Sequence, residues 1–105
     1  MGISKAGGLG SGQTWQVVTR AAGVTYYNTT SKPIMYQIMA LGTSGQAFSR
    51  TVSINGGVAI NILRGFWGAN DAGGQGATGV TIIPAGASYI FADTFISSQT
   101  STELR

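Results

Sequence analysis

Cysteine and histidine are both missing from these 105 residues. Without cysteine there is no disulfide and no thiolate. Without histidine there is no imidazole base and no imidazole metal ligand. Charge is nearly as scarce: six Lys/Arg and three Asp/Glu make up 9% of the chain, against about 25% in an ordinary soluble domain. Long apolar runs are absent too. The longest lies near Ile34–Leu41, far short of the ~20 residues of a spanning helix. Residues 1–12 (MGISKAGGLGSG) have neither the basic start nor the hydrophobic run of a signal peptide.

Each scarcity removes a class of function. A nucleophilic Ser or Thr needs a base, and only Lys5 or Lys32 could serve. Lys5 sits in a Gly-rich stretch and Lys32 in a Ser-Lys-Pro turn. The acids are Asp71, Asp93 and Glu103. A glycosidase needs two carboxylates roughly 5–10 Å apart, and no pair here has a recognisable setting. Asp71 reads as a loop residue and Asp93 as a turn residue after a strand. One acid at Asn70-Asp71 is a poor calcium site, so no metal and no cofactor is expected. The basic residues Lys5, Arg20, Lys32, Arg50, Arg64 and Arg105 form no cluster, which argues against nucleic acid. The chain reads as neither an enzyme nor a membrane-inserting protein.

What is present is glycine, 17 residues of it, among short runs of period two. Residues 1–12 read as a flexible lead-in and 13–105 as one domain. Strands are expected at Thr14–Thr19, Val24–Tyr27, Ile34–Leu41, Thr51–Ile54, Val58–Leu63, Gly79–Ile83, Ser88–Ala92 and Thr94–Ser97, with a polar exit to Arg105. Val58, Ile60 and Ile62 are expected on one face. Asn55-Gly56-Gly57 is a hairpin signal, and Pro84-Ala85-Gly86-Ala87 a second turn. No helical stripe persists in any window. About seven or eight short strands with Gly-rich turns predict an all-β fold, a sandwich or a barrel.

Ile34–Leu41 is apolar on both faces. One face carries Ile34, Tyr36, Ile38 and Ala40; the other carries Met35, Met39 and Leu41, broken by Gln37. A sandwich strand ordinarily has one dry face. Either a loop covers the second face or another copy of the chain does, and the low charge favours the copy, with Met35, Met39 and Leu41 as the interface.

The segment from Phe66 to Thr78 reads as a long polar loop opened by an aromatic pair. Trp67 offers a ring to stack on sugars, while Asn70, Asp71 and Gln75 offer planar hydrogen-bonding groups. The other reading is that Phe66 and Trp67 cap the core and the rest is spacer. Tyr26 and Tyr27 stand either in a core or at a contact surface. Gly74-Gln75-Gly76-Ala77-Thr78-Gly79 has the letters of a dinucleotide loop, but a strand follows it rather than a helix. Asn28-Thr29-Thr30 matches an N-glycosylation pattern.

Gly12-Gln13-Thr14-Trp15-Gln16, the run from Arg20 through Thr25-Tyr26-Tyr27-Asn28-Thr29-Thr30 to Pro33-Ile34, Ile83-Pro84-Ala85-Gly86-Ala87-Ser88-Tyr89 and the final Glu103-Leu104-Arg105 stand together. Over about residues 12–105 the chain resembles the C-terminal domains of bacteriophage and prophage tail proteins. The resemblance implies a tail fibre, tailspike or tail-needle tip. It implies a trimeric, β-rich knob in the virion that binds a host-surface glycan, lipopolysaccharide or outer-membrane receptor. No binding position carries over from the resemblance. The fold class expected is all-β: an antiparallel β-sandwich of jelly-roll or TNF-like knob form, in a homotrimer. Adhesion, locking of the trimer, or both would be its work. A purely structural capping module is the alternative, and an oligonucleotide-binding barrel, stacking bases on Tyr26, Tyr27, Phe66 and Trp67, is a third reading.

Overall fold

A computed structural model of the chain describes residue 10, residues 12–68 and residues 76–105. Eight strands are present and no helix occurs among the described residues: β1 Trp15–Val18, β2 Thr25–Tyr27, β3 Ile34–Gly42, β4 Ala47–Ile54, β5 Ile60–Phe66, β6 Gly76–Ile83, β7 Ser88–Thr94 and β8 Ile96–Leu104.

The pairing is nested. β4 and β5 form the innermost hairpin, closed by Asn55 and Gly56 at φ 53° and 73°, with Gly57 N–H donating to the Ile54 carbonyl at 2.9 Å. Both central residues of such a turn need positive φ, which Asn and Gly tolerate. Outside that hairpin β3 pairs with β6, then β2 with β7, then β1 with β8, all antiparallel. The four-pair ribbon is wound into two sheets by cross-pairing of β8 with β3 and of β7 with β4. Sheet A has the order β1-β8-β3-β6 and sheet B the order β2-β7-β4-β5. This is the eight-stranded jelly roll, a sandwich of two Greek keys. It differs from the five-stranded oligonucleotide-binding barrel in strand count and pairing.

The core is built by inward alternation. Ile34, Tyr36, Ile38 and Ala40 of β3, with Ile83 of β6 beside Ile34, face Phe48 and Val52 of β4, Leu63 of β5 and Tyr89 and Phe91 of β7, all buried. Phe48 lies in a hollow made by two glycines; a Cβ on Gly42 or Gly65 would stand 2.0 or 2.3 Å from its ring. The two sheets approach closely where β5 meets β6. A Cβ on Gly79 would lie 1.9 Å from the Ile62 carbonyl oxygen, so only glycine fits there.

Several sequence expectations change here. β8 runs nine residues from Ile96 to Leu104 and is interior to sheet A, whereas a short strand at 94–97 and a polar exit were expected. β5 carries a bulge at Ile62, because Arg50 pairs with Leu63 while Thr51 pairs with Asn61. The bulge puts Leu63 on the core face together with Ile60, three positions earlier, and takes Ile62 out of the expected alternation. Ile60, on an edge strand, stays 58% exposed, and Val58, ahead of the strand, 85%. Asp93 lies within β7, not in a turn after it.

Candidate functional site

Cross-strand partners in an antiparallel ladder share a face, so the registers define the outer face of sheet A. Its rows are Trp15–Leu104–Met35–Ile82, then Val17–Thr102–Gln37–Val80, then Thr100–Met39–Thr78, and last Ser98–Leu41–Gly76. No charged residue occurs in these four rows. Met39 is 62% exposed and Leu41 45%, while Met35 and Leu104 are half-buried. Of the three expected interface residues, all point outward, and Met39 and Leu41 stay uncovered among the described residues. Toward one end of this face Met39, Leu41, Gly76, Thr78, Ser98 and Thr100 line a groove of about 540 Å³. The outer face of sheet B differs: its rows Arg64–Ser49–Thr94, Asn61–Thr51–Ala92 and Ser53–Ile90–Thr25 are mostly small and hydroxylated, and its exposed aromatics stand in the end rows Phe66–Ala47 and Tyr27–Ser88.

The loops at that same end of sheet A form the second part of the site. Strand β5 extends through Phe66, and β6 begins at Gly76, so the connection is shorter than the sequence suggested. Trp67 is half-buried, and its backbone is held by the β3–β4 turn: Gly45 N–H donates to the Trp67 carbonyl at 2.6 Å, and Trp67 N–H to the Gln46 carbonyl at 3.2 Å. Phe66 is 63% exposed and so does not cap the core. Asn70, Asp71 and Gln75 lie outside the described residues.

The charges are elsewhere, between the sheets. Arg50 of β4, 0% exposed, makes a bidentate pair with Asp93 of β7, with Nη2–Oδ2 at 2.8 Å. Its Nη1 donates to the Tyr36 hydroxyl of β3 at 2.8 Å, and Tyr36 shares a 2.6 Å hydrogen bond with Ser101 of β8. Glu103 of β8, also 0% exposed, accepts from Arg20 Nε and Nη2 at 2.7 and 2.8 Å, from Arg105 at 3.2 Å and from the Tyr89 hydroxyl at 3.0 Å. Arg20 also lies over the Tyr26 ring, 4.7 Å from its centroid. Tyr26 therefore belongs to the packed interior side, while Tyr27 is exposed. Burial and the nearby Glu103 carboxylate push the Tyr89 hydroxyl up to about 12, so it stays a proton donor. Burial likewise raises Tyr36. The hydrogen bond and charge of Glu103 raise Arg20.

These clusters settle what two of the three carboxylates do. Asp93 is clamped by Arg50 of the neighbouring strand within sheet B, and Arg50 in turn reaches Tyr36 of sheet A. Glu103 of sheet A is clamped by Arg20 and reaches Tyr89 of sheet B. No buried side-chain nitrogen or oxygen among the described residues lacks a partner. No group of three acidic, His or Cys side chains able to hold a metal occurs among them either. The Asn28 amide is buried and fully engaged. Its Nδ2 donates to the carbonyls of Lys32, Ile83 and Pro84 at 2.8, 3.1 and 3.1 Å, and its Oδ1 accepts from Thr30 N–H and Oγ1. The glycosylation pattern is thus a corner of the fold, with its nitrogen inside. Searches of protein-family models, of curated proteins and of solved structures find no match to the chain.

Proposed function

We propose that this domain is the tip of a bacteriophage or prophage tail appendage: a non-enzymatic jelly roll that joins two further copies through the outer face of sheet A. It presents its loop end to a glycan, lipopolysaccharide or outer-membrane receptor of the host. The observation that carries the reading is the uncharged, uncovered row of Met39 and Leu41 beside Met35. The face measures about 20 by 30 Å from the strand spacing and rise, of the order of 600 Å² before side-chain relief. A stable interface takes roughly 800 Å² from each partner. Three such faces turned toward one axis bury each other and leave the β3–β4 turn, with Phe66 and Trp67 beside it, outward, where three weak sites gain by multivalency.

The motifs that resemble tail proteins support the reading from another side. Gln13 donates to the carbonyls of Pro33 and Leu104, Arg20 and Glu103 form the interior clamp, and Asn28 with Thr30 forms the corner. They hold the corners and the interior of the fold. The solution mass tests the proposal. A sedimentation mass three times the chain's 10.8 kDa is expected. A monomer across micromolar concentrations discards the assembly half of it.

A further inference from the structure

The connection between β7 and β8 is a single residue, Phe95, which carries the chain from sheet B to sheet A. Its φ is +51°, in the left-handed region. That region is disfavoured for any residue with a Cβ and most of all for a bulky one. Every other described residue at positive φ in this chain is Gly or Asn. The backbone therefore does not ask for Phe, and neither does the core, because Phe95 is 51% exposed.

Its surroundings give the ring a use. Thr43 donates to the Phe95 carbonyl from its N–H at 2.9 Å and its Oγ1 at 3.0 Å, and two residues on, Gly45 holds the Trp67 carbonyl. One turn thus fixes the backbones of Phe95 and Trp67 at the same end of the sandwich, with Phe66 beside Trp67. Residues 41–47, 65–68 and 94–100 contain no charge. Their polar side chains are all hydroxyls and amides, from Thr43, Ser44 and Gln46 on one side to Thr94, Ser97, Ser98, Gln99 and Thr100 on the other.

We propose that Phe95 is a ligand-contact residue, part of an aromatic rim with Phe66 and Trp67 that takes a neutral glycan. Rigid aromatic rings supply contact area to the apolar face of a sugar at little entropic cost, and neighbouring hydroxyls and amides match sugar hydroxyls. Among the described residues these segments hold no cation to answer a phosphate or carboxylate; Arg64 stands two residues before Phe66 on β5. The inference rests on the adhesive half of the function proposed above.

The test uses the full chain with Phe95→Gly, Phe95→Leu and Phe95→Tyr. The probe is an array of neutral hexose and N-acetylhexosamine oligosaccharides, with sialylated and phosphorylated counterparts alongside. The wild type binds neutral members. Phe95→Gly and Phe95→Leu lose about tenfold or more in affinity, and Phe95→Tyr keeps binding. Phe95→Gly melts within about 2 °C of wild type and keeps its mass, because glycine suits the backbone. Wild-type binding that Phe95→Gly leaves unchanged overturns this proposal and spares the adhesive reading. A Phe95→Gly melting point lower by more than about 5 °C makes the ring structural and overturns it as well. Binding confined to acidic glycans overturns the neutral class. A wild type that binds nothing on the array overturns this proposal and the glycan arm of the adhesive reading, and leaves its assembly half to the solution mass.

Discussion

On the inner side of sheet A, Glu103 and Ser101 of β8 and Tyr36 of β3 meet Arg20 and Arg50, and both Arg50 and Glu103 are fully buried. On its outer side the four rows from Trp15 to Gly76 hold no charge, and Val17, Met39 and Val80 stand more than half exposed. An ordinary soluble sandwich has the reverse arrangement, with a dry interior and a polar exterior. The comparison teaches where a chain with 9% charged residues puts its charges. Arg20, Arg50, Asp93 and Glu103 lie in clusters that join the two sheets at fixed positions, while the outer face of sheet A is left without charge. A buried ion pair adds little net stability over an apolar filling, yet losing one partner is costly. Placement here therefore fixes which strand faces which.

The first way to break the contrast is from within. Asp93→Ala strands the Arg50 guanidinium in the core and should cost about 3–5 kcal/mol, much of a marginal stability of roughly 5–15 kcal/mol. Urea unfolding measures it. Replacing both partners, Arg50→Met with Asp93→Ala, should recover most of that loss, and no recovery would mean that the pair itself stabilises the fold.

From outside, Met39→Glu should leave the single chain folded but place an unpaired carboxylate at the axis of the proposed assembly, at a cost of about 3–5 kcal/mol per site. Sedimentation should then report the 10.8 kDa monomer. Thr51→Lys, on the outer face of sheet B, should change neither mass nor melting, within about 0.5 kcal/mol. Equal effects from the two changes would erase the distinction between the faces.

The smallest effect concerns alkaline pH. Because Tyr89 is raised to about 12 in the fold from an ordinary value of 10, the fold favours its neutral form. That contribution is whole below pH 10 and is lost as pH rises toward about 12. Melting points taken from pH 8 to 12 should fall across that window, and less steeply for Tyr89→Phe.

The fold class was legible because β3 and β7 alternate cleanly and because Asn55-Gly56 and Pro84-Ala85-Gly86-Ala87 mark real turns. β8 was not, and for the same reason that the interior is unusual. Its inward positions are Ser101 and Glu103, so a search for alternating apolar residues passes over it. Asp93 was misplaced because its partner Arg50 is 43 positions away in sequence. In β5 the alternation breaks at Ile62, where the bulge brings Leu63 rather than Ile62 onto the face of Ile60, and the bulge leaves no mark in the pattern. At the site, the outward row of β3 was readable from its two apolar faces. Phe95 was not, because nothing in its neighbours announces a left-handed corner; the aromatic loop drew attention to Trp67, Asn70, Asp71 and Gln75 instead.

The nesting of the strands also decides where the chain enters and leaves. Thr14 and Arg105 exchange both backbone hydrogen bonds, at 3.2 and 3.0 Å, so the two ends of the domain lie side by side at the rim of sheet A. A short tether could join them without disturbing a strand, and new ends could then be opened at the exposed Asn55-Gly56 tip. In such a circular permutant the innermost hairpin would become the seam, while the inter-sheet clamps and the greasy face kept their places.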